Sequence, residues 1–396
     1  ILFYTFYGQP DPAGALAHFI KSYHPDATDL SPAEARRVLA GKRALVILDG
    51  AEDAANLPAV RDVLPPTCAV LVTTRVPGGL ALAGLPRREA VALLQTLAGE
   101  MDPATADRIC ALLDDLPLAV TLAGQYIAQS GDPADYLAWL EAAPLEAVDN
   151  PENLPDPHRR DSIPVLVEKS LARAGDQARA VLAVTGLLSL APFDREVIAA
   201  ALPNADPRRP LDRLVRYGLL RRAETGYAPA HALVHRFARR RLAPPAGALP
   251  RLAGYYTALA ETESEKGLPG YRVLDGHRGH ILAVLEACAA AGEWPRANKL
   301  VWAVKDYLDV QGYTADRVQV LETGVRAARA LGQRYDEGAH LGHLGLAYRD
   351  LGQVEKAIEY HTQALAISRE IGDRRGEGAD LGHLGLAYHA LGQVEK

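Results

Sequence analysis

The sequence predicts a multidomain chain that is α/β at its start and all-α afterwards. Three observations lead there: short apolar strands alternating with helical patterns up to about residue 80, helical periodicity with few strand signals beyond, and a 40-residue repeat near the end. At 396 residues the chain exceeds one ordinary core, and 48% apolar with 23% charged residues is the composition of a globular protein in water.

The α/β part opens on a strand over residues 1–6, followed by helices over 15–22 and 33–39 and a strand over 44–48. A helix over 54–63 and a strand over 69–73 extend it until Pro77-Gly78-Gly79 breaks the pattern. Such alternation calls for a parallel sheet. From about Arg87, helical periodicity fills 89–97, 105–113, 118–129 and 134–141, predicting a small bundle. The Pro- and Asp-rich stretch 149–157 is the best linker candidate. Helices over 165–173, 178–190, 195–202 and 211–217 then lead to a short hairpin turning at Glu224-Thr225-Gly226 and a last helix starting near His231. Helices followed by a small hairpin resemble a winged helix.

The repeat is the strongest internal signal. Leu341-Gly-His-Leu-Gly-Leu-Ala-Tyr348 recurs verbatim at residues 381–388, and Leu351-Gly-Gln-Val-Glu-Lys356 recurs at the same offset. Leu344, Gly345, Tyr348, Gly352, Ala357 and Ala364 fall where the tetratricopeptide (TPR) consensus places its small and large packing residues, so this part resembles a TPR α-solenoid of the kinesin-light-chain type. Residues 317–330 read as the second helix of an earlier, divergent repeat.

Several function classes fall away. The apolar runs are far shorter than the roughly 20 residues that cross a bilayer. Cys68, Cys110 and Cys288 are scattered in apolar stretches and read as buried thiols in a reducing cytoplasm, with no paired ligand spacing. A net charge of -6 gives no general attraction to nucleic acid. Residues 208–241 nevertheless carry ten arginines against Asp212 and Glu224. A winged helix so charged could meet DNA phosphates, but a solvated face is the commoner explanation and DNA is not the expected partner. His340, His343, His361 and His383 invite a metal reading; the repeat itself explains why His343 and His383 recur, and all four read as groove-lining or surface residues.

Chemistry concentrates on two strands. Arg43-Ala-Leu-Val-Ile-Leu-Asp49 is a buried parallel strand ending in a carboxylate at the edge where open α/β sheets bind ligands, the form of a Walker B strand. Such a carboxylate can hold a magnesium ion, usually through water; alone, it could equally cap the next helix. Ala69-Val-Leu-Val-Thr-Thr-Arg75 ends in two hydroxyls and an arginine on the same edge. Further on, Asp115-Leu-Pro-Leu-Ala119 places a proline at a helix start, in isolation ordinary helix initiation.

Taken in order, these elements and a histidine at the last helix of the winged-helix segment resemble the NB-ARC family of STAND-type P-loop ATPases, over roughly residues 1–245. The resemblance implies Asp49 as the magnesium residue, Arg75 as sensor of the γ-phosphate, Pro117 as a contact to adenine and His231 as the group approaching the ADP β-phosphate. Apart from the resemblance, His231 reads as a capping or core histidine. Three departures stand out. Gly50 follows Asp49 where the family has a second acid, leaving Glu52 or Asp53 as candidate catalytic substitutes. Ala230 and Ala232 replace the residues flanking the family's histidine. No Gly-x-x-x-x-Gly-Lys-Ser/Thr occurs, and the family's loop lies ahead of the strand matching residues 1–6. With no initiator methionine and a stop inside a repeat, both ends read as cut.

The expected layout is a partial nucleotide-binding domain over 1–85 and an ARC-like helical bundle over 86–150. A winged helix over 158–245, a helical connector over 246–335 and TPR repeats over 336–396 complete it. The expected function is a cytoplasmic signalling switch, closed with ADP and open with ATP and Mg2+, in which the TPR groove meets a protein partner or ligand and nucleotide exchange permits homo-oligomerisation. A slow ATPase is expected of a longer chain, not of these residues alone. A winged-helix transcription regulator and a TPR scaffold with a degenerate nucleotide module are the alternatives.

Overall fold

The computed structural model describes residues 1–6, 11–51, 54–74, 84–142, 162–203 and 206–391. The chain divides into two compact units. The first joins residues 1–77 to 250–396, and the second is residues 78–249.

Three strands open the first unit: β1 (Leu2–Thr5), β2 (Leu45–Asp49) and β3 (Ala69–Val72), parallel and in the order β1-β2-β3. Leu2 lies beside Val46 and Val46 beside Val70; Thr5 lies beside Asp49. One face of the sheet carries Leu2, Tyr4, Val46 and Leu48 into a core shared with α1 (Pro12–Tyr23), α2 (Pro32–Leu39) and α3 (Leu57–Arg61). The opposite face leaves Phe3 and Leu71 about half exposed.

Local chemistry sets the helix starts. Asp11, Ser31 and Asn56 each stand before or at a helix whose first turn holds a proline, and each side chain accepts a backbone N–H of that turn. Proline at this place loses no intrahelical bond, and the polar cap satisfies an N–H that would lack a partner. The α3 helix is shorter than the expected 54–63 and starts later, because Asn56 caps it by accepting the Ala59 N–H.

The rest of this unit is a helical array: α13 (Ala248–Ser264), α14 (Leu268–Ala290), α15 (Trp294–Val310), α16 (Thr314–Leu331), α17 (Arg334–Asp350), α18 (Val354–Ile371) and α19 (Arg374–Ala390). The α17 and α19 helices are one 40-residue period apart, and α16 is the divergent earlier helix that the sequence indicates. Gly332 and Gly372 end α16 and α18 in the left-handed conformation, φ 67° and 74°, which glycine adopts without a Cβ penalty.

Helix α1 meets this array. Lys21 donates to Gln311 Oε1 at 3.0 Å and places its ammonium 3.9 Å from the Tyr313 ring centroid. Arg278 stands 3.9 Å from the same centroid and pairs with Asp316. A Cβ on Gly312 would come within 2.2 Å of the Thr28 carbonyl oxygen, so only glycine allows that approach.

The second unit holds α4 (Arg87–Ala98), α5 (Pro103–Leu112), α6 (Pro117–Ser130) and α7 (Pro133–Ala142), then α8 (Ser162–Ala174), α9 (Asp176–Thr185), α10 (Arg195–Ala201) and α11 (Arg208–Arg216). The antiparallel hairpin β4 (Leu220–Ala223) and β5 (Gly226–Pro229) follows, and α12 (Ala232–Arg241) closes the unit. Gly226 sits at φ 96°, and a Cβ there would meet the Phe193 carbonyl oxygen at 2.4 Å. Helix α9 stops at Thr185, short of the expected 190. Gly186 presses its backbone on Arg239, where a Cβ would come within 2.7 Å of the amide nitrogen. The linker candidate 149–157 lies outside the described residues.

Candidate functional site

The parallel sheet positions the most reactive arrangement. Asp49 is the last residue of the central strand, and the backbone of Phe6 donates to its carbonyl at 2.8 Å. Its carboxylate reaches both neighbouring strands: Thr73 Oγ1 donates to Oδ1 at 2.6 Å and Thr5 Oγ1 donates to Oδ2 at 3.1 Å. Two hydroxyl donors fix the orientation of the carboxylate while each oxygen keeps a lone pair. The Gly50 N–H donates to Thr73 Oγ1 at 3.1 Å, closing a small network at the sheet's carboxyl edge. Thr5 and Thr73 are the residues that sequence reasoning missed as partners of Asp49. The available signal was their place at the ends of strands flanking the carboxylate.

Gly50 sits at φ 69°, which accounts for the departure from a paired-acid motif: a glycine takes this backbone freely, whereas a second acid would carry left-handed strain. Arg75, Glu52 and Asp53 lie outside the described residues.

Magnesium held by one carboxylate, waters and nucleotide oxygens asks no more of the protein than Asp49 supplies. Among the described residues, no group of three or more His, Cys, Asp or Glu side chains is set to hold a metal unaided. One carboxylate beside two hydroxyls is the kind of donor set that would hold a magnesium ion brought in by phosphate oxygens.

Pro117 begins α6 and is exposed. The turn ahead of it is held tightly: Asp114 and Asp115 are both left-handed, at φ 52° and 53°, and Arg87 grips the Asp115 carboxylate at 2.7 and 3.0 Å. His231 is the N-cap of α12, its Nδ1 accepting the Leu233 N–H at 3.1 Å. The capping role read from the residues alone is thus present. With Nδ1 an acceptor, the ring proton belongs on Nε2. One turn on, His235 is buried, bonds the Leu188 carbonyl at 3.0 Å, and has its pKa lowered by that burial.

The arginines of 208–241 are partly spent inside the unit. Arg222 pairs with Asp212 at 2.7 Å, and Arg213 donates to the Ala174 carbonyl at 3.1 Å. The repeat histidines are a correction: His340 and His361 are fully buried between helices, not on a groove or surface, and His343 and His383 are half-buried. They fill the space left by small residues, His340 against Gly324 and His361 against Gly345.

Residues 336–396 match the tetratricopeptide repeat family. These residues belong to that family. Over a longer stretch the chain is similar to the regulatory protein AfsR of Streptomyces coelicolor, 30% identical over 369 aligned residues that cover 75% of this chain and 34% of that protein. The AfsR protein of Streptomyces griseus is 31% identical over 298 residues, covering 67% and 29% respectively. The chain spans about a third of the length of these curated relatives. The tetratricopeptide repeats read from the sequence are borne out over residues 336–396. Among solved structures, the chain is similar to a Signal Transduction ATPase with Numerous Domains (STAND) protein with a tetratricopeptide repeat sensor from Pyrococcus horikoshii. That match has a TM-score of 0.44 and 15% identity over 98% of this chain and 74% of the other. No described helix of the TPR array or elsewhere is long and apolar enough to cross a membrane.

Proposed function

We propose that this chain is the switching and sensing part of a cytoplasmic regulatory protein that closes around ADP and opens with ATP. The observation that carries the proposal is Asp49, held by two hydroxyls at the carboxyl edge of a parallel sheet, where a Mg2+-nucleotide would be received. In this reading Asp49 meets the magnesium ion through water and Arg75 reports the γ-phosphate. Pro117 borders adenine, His231 donates to the β-phosphate of ADP, and Glu52 or Asp53 assists whatever slow hydrolysis occurs. The second unit comprises an ARC-like bundle and a winged helix, and the TPR array receives a protein partner or ligand. A switch of this kind works through different affinities of two conformations for two nucleotides. Homo-oligomerisation would accompany the ATP form.

A Gly-rich phosphate loop does not occur in these 396 residues, and tight nucleotide binding is proposed for a protein that carries such a loop together with them. Calorimetry with ADP and ATP, with and without magnesium, tests the proposal on that protein and on its Asp49→Ala, Arg75→Ala and His231→Ala variants. Asp49→Ala should lose the magnesium-dependent part, Arg75→Ala the preference for ATP and His231→Ala the affinity for ADP. A parent protein that binds neither nucleotide leaves a TPR scaffold as the function. A winged helix that reads DNA is the second reading. It draws support from the regulatory relatives and the exposed Arg209 and Arg221, and salt-dependent duplex binding is its test.

A further inference from the structure

Three aromatic rings of the second unit surround one ammonium. Lys169 of α8 places Nζ 3.7 Å from the ring centroid of Trp139, 5.0 Å from that of Tyr126 and 5.6 Å from that of Tyr136. The rings touch one another, with centroids 5.2 Å apart for Tyr126 and Tyr136 and 5.4 Å apart for Tyr136 and Trp139. Both tyrosines are buried and form the floor, while Trp139 and Lys169 are half-buried at the mouth. Asp135 of α7 is the carboxylate that acts on the Lys169 ammonium and Arg173 the like charge beside it, and among the described residues neither they nor any other side chain forms an ion pair with it. Arg173, one turn further along α8, donates to the Tyr126 hydroxyl at 3.1 Å and so holds that ring in place.

A lysine that leaves bulk water ordinarily recovers the lost hydration from a carboxylate or carbonyls. Here ring faces take that role, with the best of them, an indole, at the shortest distance. Three rings around a cation are also the arrangement that recognises alkylated ammonium groups. Simple apolar packing would be served by the lysine methylenes and would leave the charge pointing away to water. In this chain the charge itself lies over the rings.

We propose that Tyr126, Tyr136 and Trp139 form a cation-binding aromatic cage for an alkylammonium group, filled in this state by Lys169. The cage ties α8 to α6 and α7, joining parts of the unit on either side of residues 143–161. Because the tie depends on charge, anything that neutralises Lys169 or offers a better cation loosens it.

Four variants of the full chain test the cage. Lys169→Met keeps the length and removes the charge; it should lower the folding equilibrium constant, read by urea unfolding, by roughly 2- to 30-fold. Lys169→Arg keeps a cation and should retain most of the parent value. Lys169→Ala vacates the cage, which should then bind tetramethylammonium, seen as upfield ring-current shifts of its methyl signal. Neutral tert-butanol should show no comparable shift, and the double variant Lys169→Ala, Trp139→Leu should lose the response. Lys169→Met as stable as the parent, or a vacated cage that treats the cation and the neutral probe alike, would overturn the proposal. If Lys169→Ala does not fold by circular dichroism, the comparison of Met with Arg decides.

Discussion

Arg87 holds Asp115 by two parallel bonds, Nε to Oδ1 at 2.7 Å and Nη2 to Oδ2 at 3.0 Å. The fork matters because Asp115 and its neighbour Asp114 both adopt the left-handed backbone that side chains resist. Gly84 closes the arrangement from the other side, where a Cβ would come within 2.4 Å of the Asp114 carbonyl oxygen. Asp115→Asn keeps the tolerance for that backbone but weakens the fork and should cost about 1 kcal/mol in urea unfolding. Asp115→Ala, which loses both, should cost about 1 kcal/mol more. Equal losses for the two would show that the backbone is not strained.

Two helix glycines of the array should respond in opposite directions. A Cβ on Gly345 would meet His361 Nε2 at 2.5 Å, whereas one on Gly276, inside α14, meets nothing within 4 Å. Gly345→Ala should therefore destabilise the array by about 1–3 kcal/mol through overpacking. Gly276→Ala should stabilise it by about 0.5–1 kcal/mol through helix propensity alone. Thermal unfolding of the two single variants measures both signs; a shared sign would refute the packing argument.

Much of this architecture was readable because it depends on local or periodic signals. The strands around Val46 and Val70 are apolar runs, the helix starts at Pro12 and Pro32 carry their own caps, and the repeat announces itself by identity at 40 residues. Asp49 was legible from its place at the end of a buried strand. Its partners Thr5 and Thr73 were legible only as strand ends, because the register that brings residues 44 and 24 positions away to its side is not written in one sequence. The burial of His340 and His361 was also hidden. It depends on Gly324 and Gly345 of facing helices, and a histidine's polarity alone points to a surface.

Acid should weaken the TPR array through His340 and His343. Burial is the main cause that lowers both pKa values to about 4, against 6.5 for a free histidine. His340 Nε2 lies 2.8 Å from Asn298 Oδ1 and its ring packs on Trp302, with Asp336, His343 and Lys305 the charged or titratable neighbours. The sign follows from proton binding: between about 6.5 and 4 the unfolded chain takes up protons that the folded one refuses. Stability is therefore full above 6.5 and falls as pH drops through that window, by up to about 1.4 kcal/mol per unit for each histidine. Urea midpoints from pH 7.5 to 4.5 should fall more steeply for the parent than for His340→Gln, and parallel curves would remove His340 from the account.

Thr73 offers the sharpest test of the sheet-edge site, since its hydroxyl both donates to Asp49 at 2.6 Å and accepts from the Gly50 N–H at 3.1 Å. Thr73→Val keeps the shape and removes both bonds, leaving the Asp49 carboxylate held by the Thr5 hydroxyl alone. In a protein that carries a phosphate loop together with these residues, this should weaken nucleotide binding with magnesium by about tenfold, a loss of about 1.4 kcal/mol of the order expected for a bond to a charged group. Binding in the presence of a chelator should hardly change, and Thr73→Ser should restore the parent affinity. The contrast separates orientation of a magnesium residue from a general structural defect, because a defect would reduce affinity equally with and without the metal.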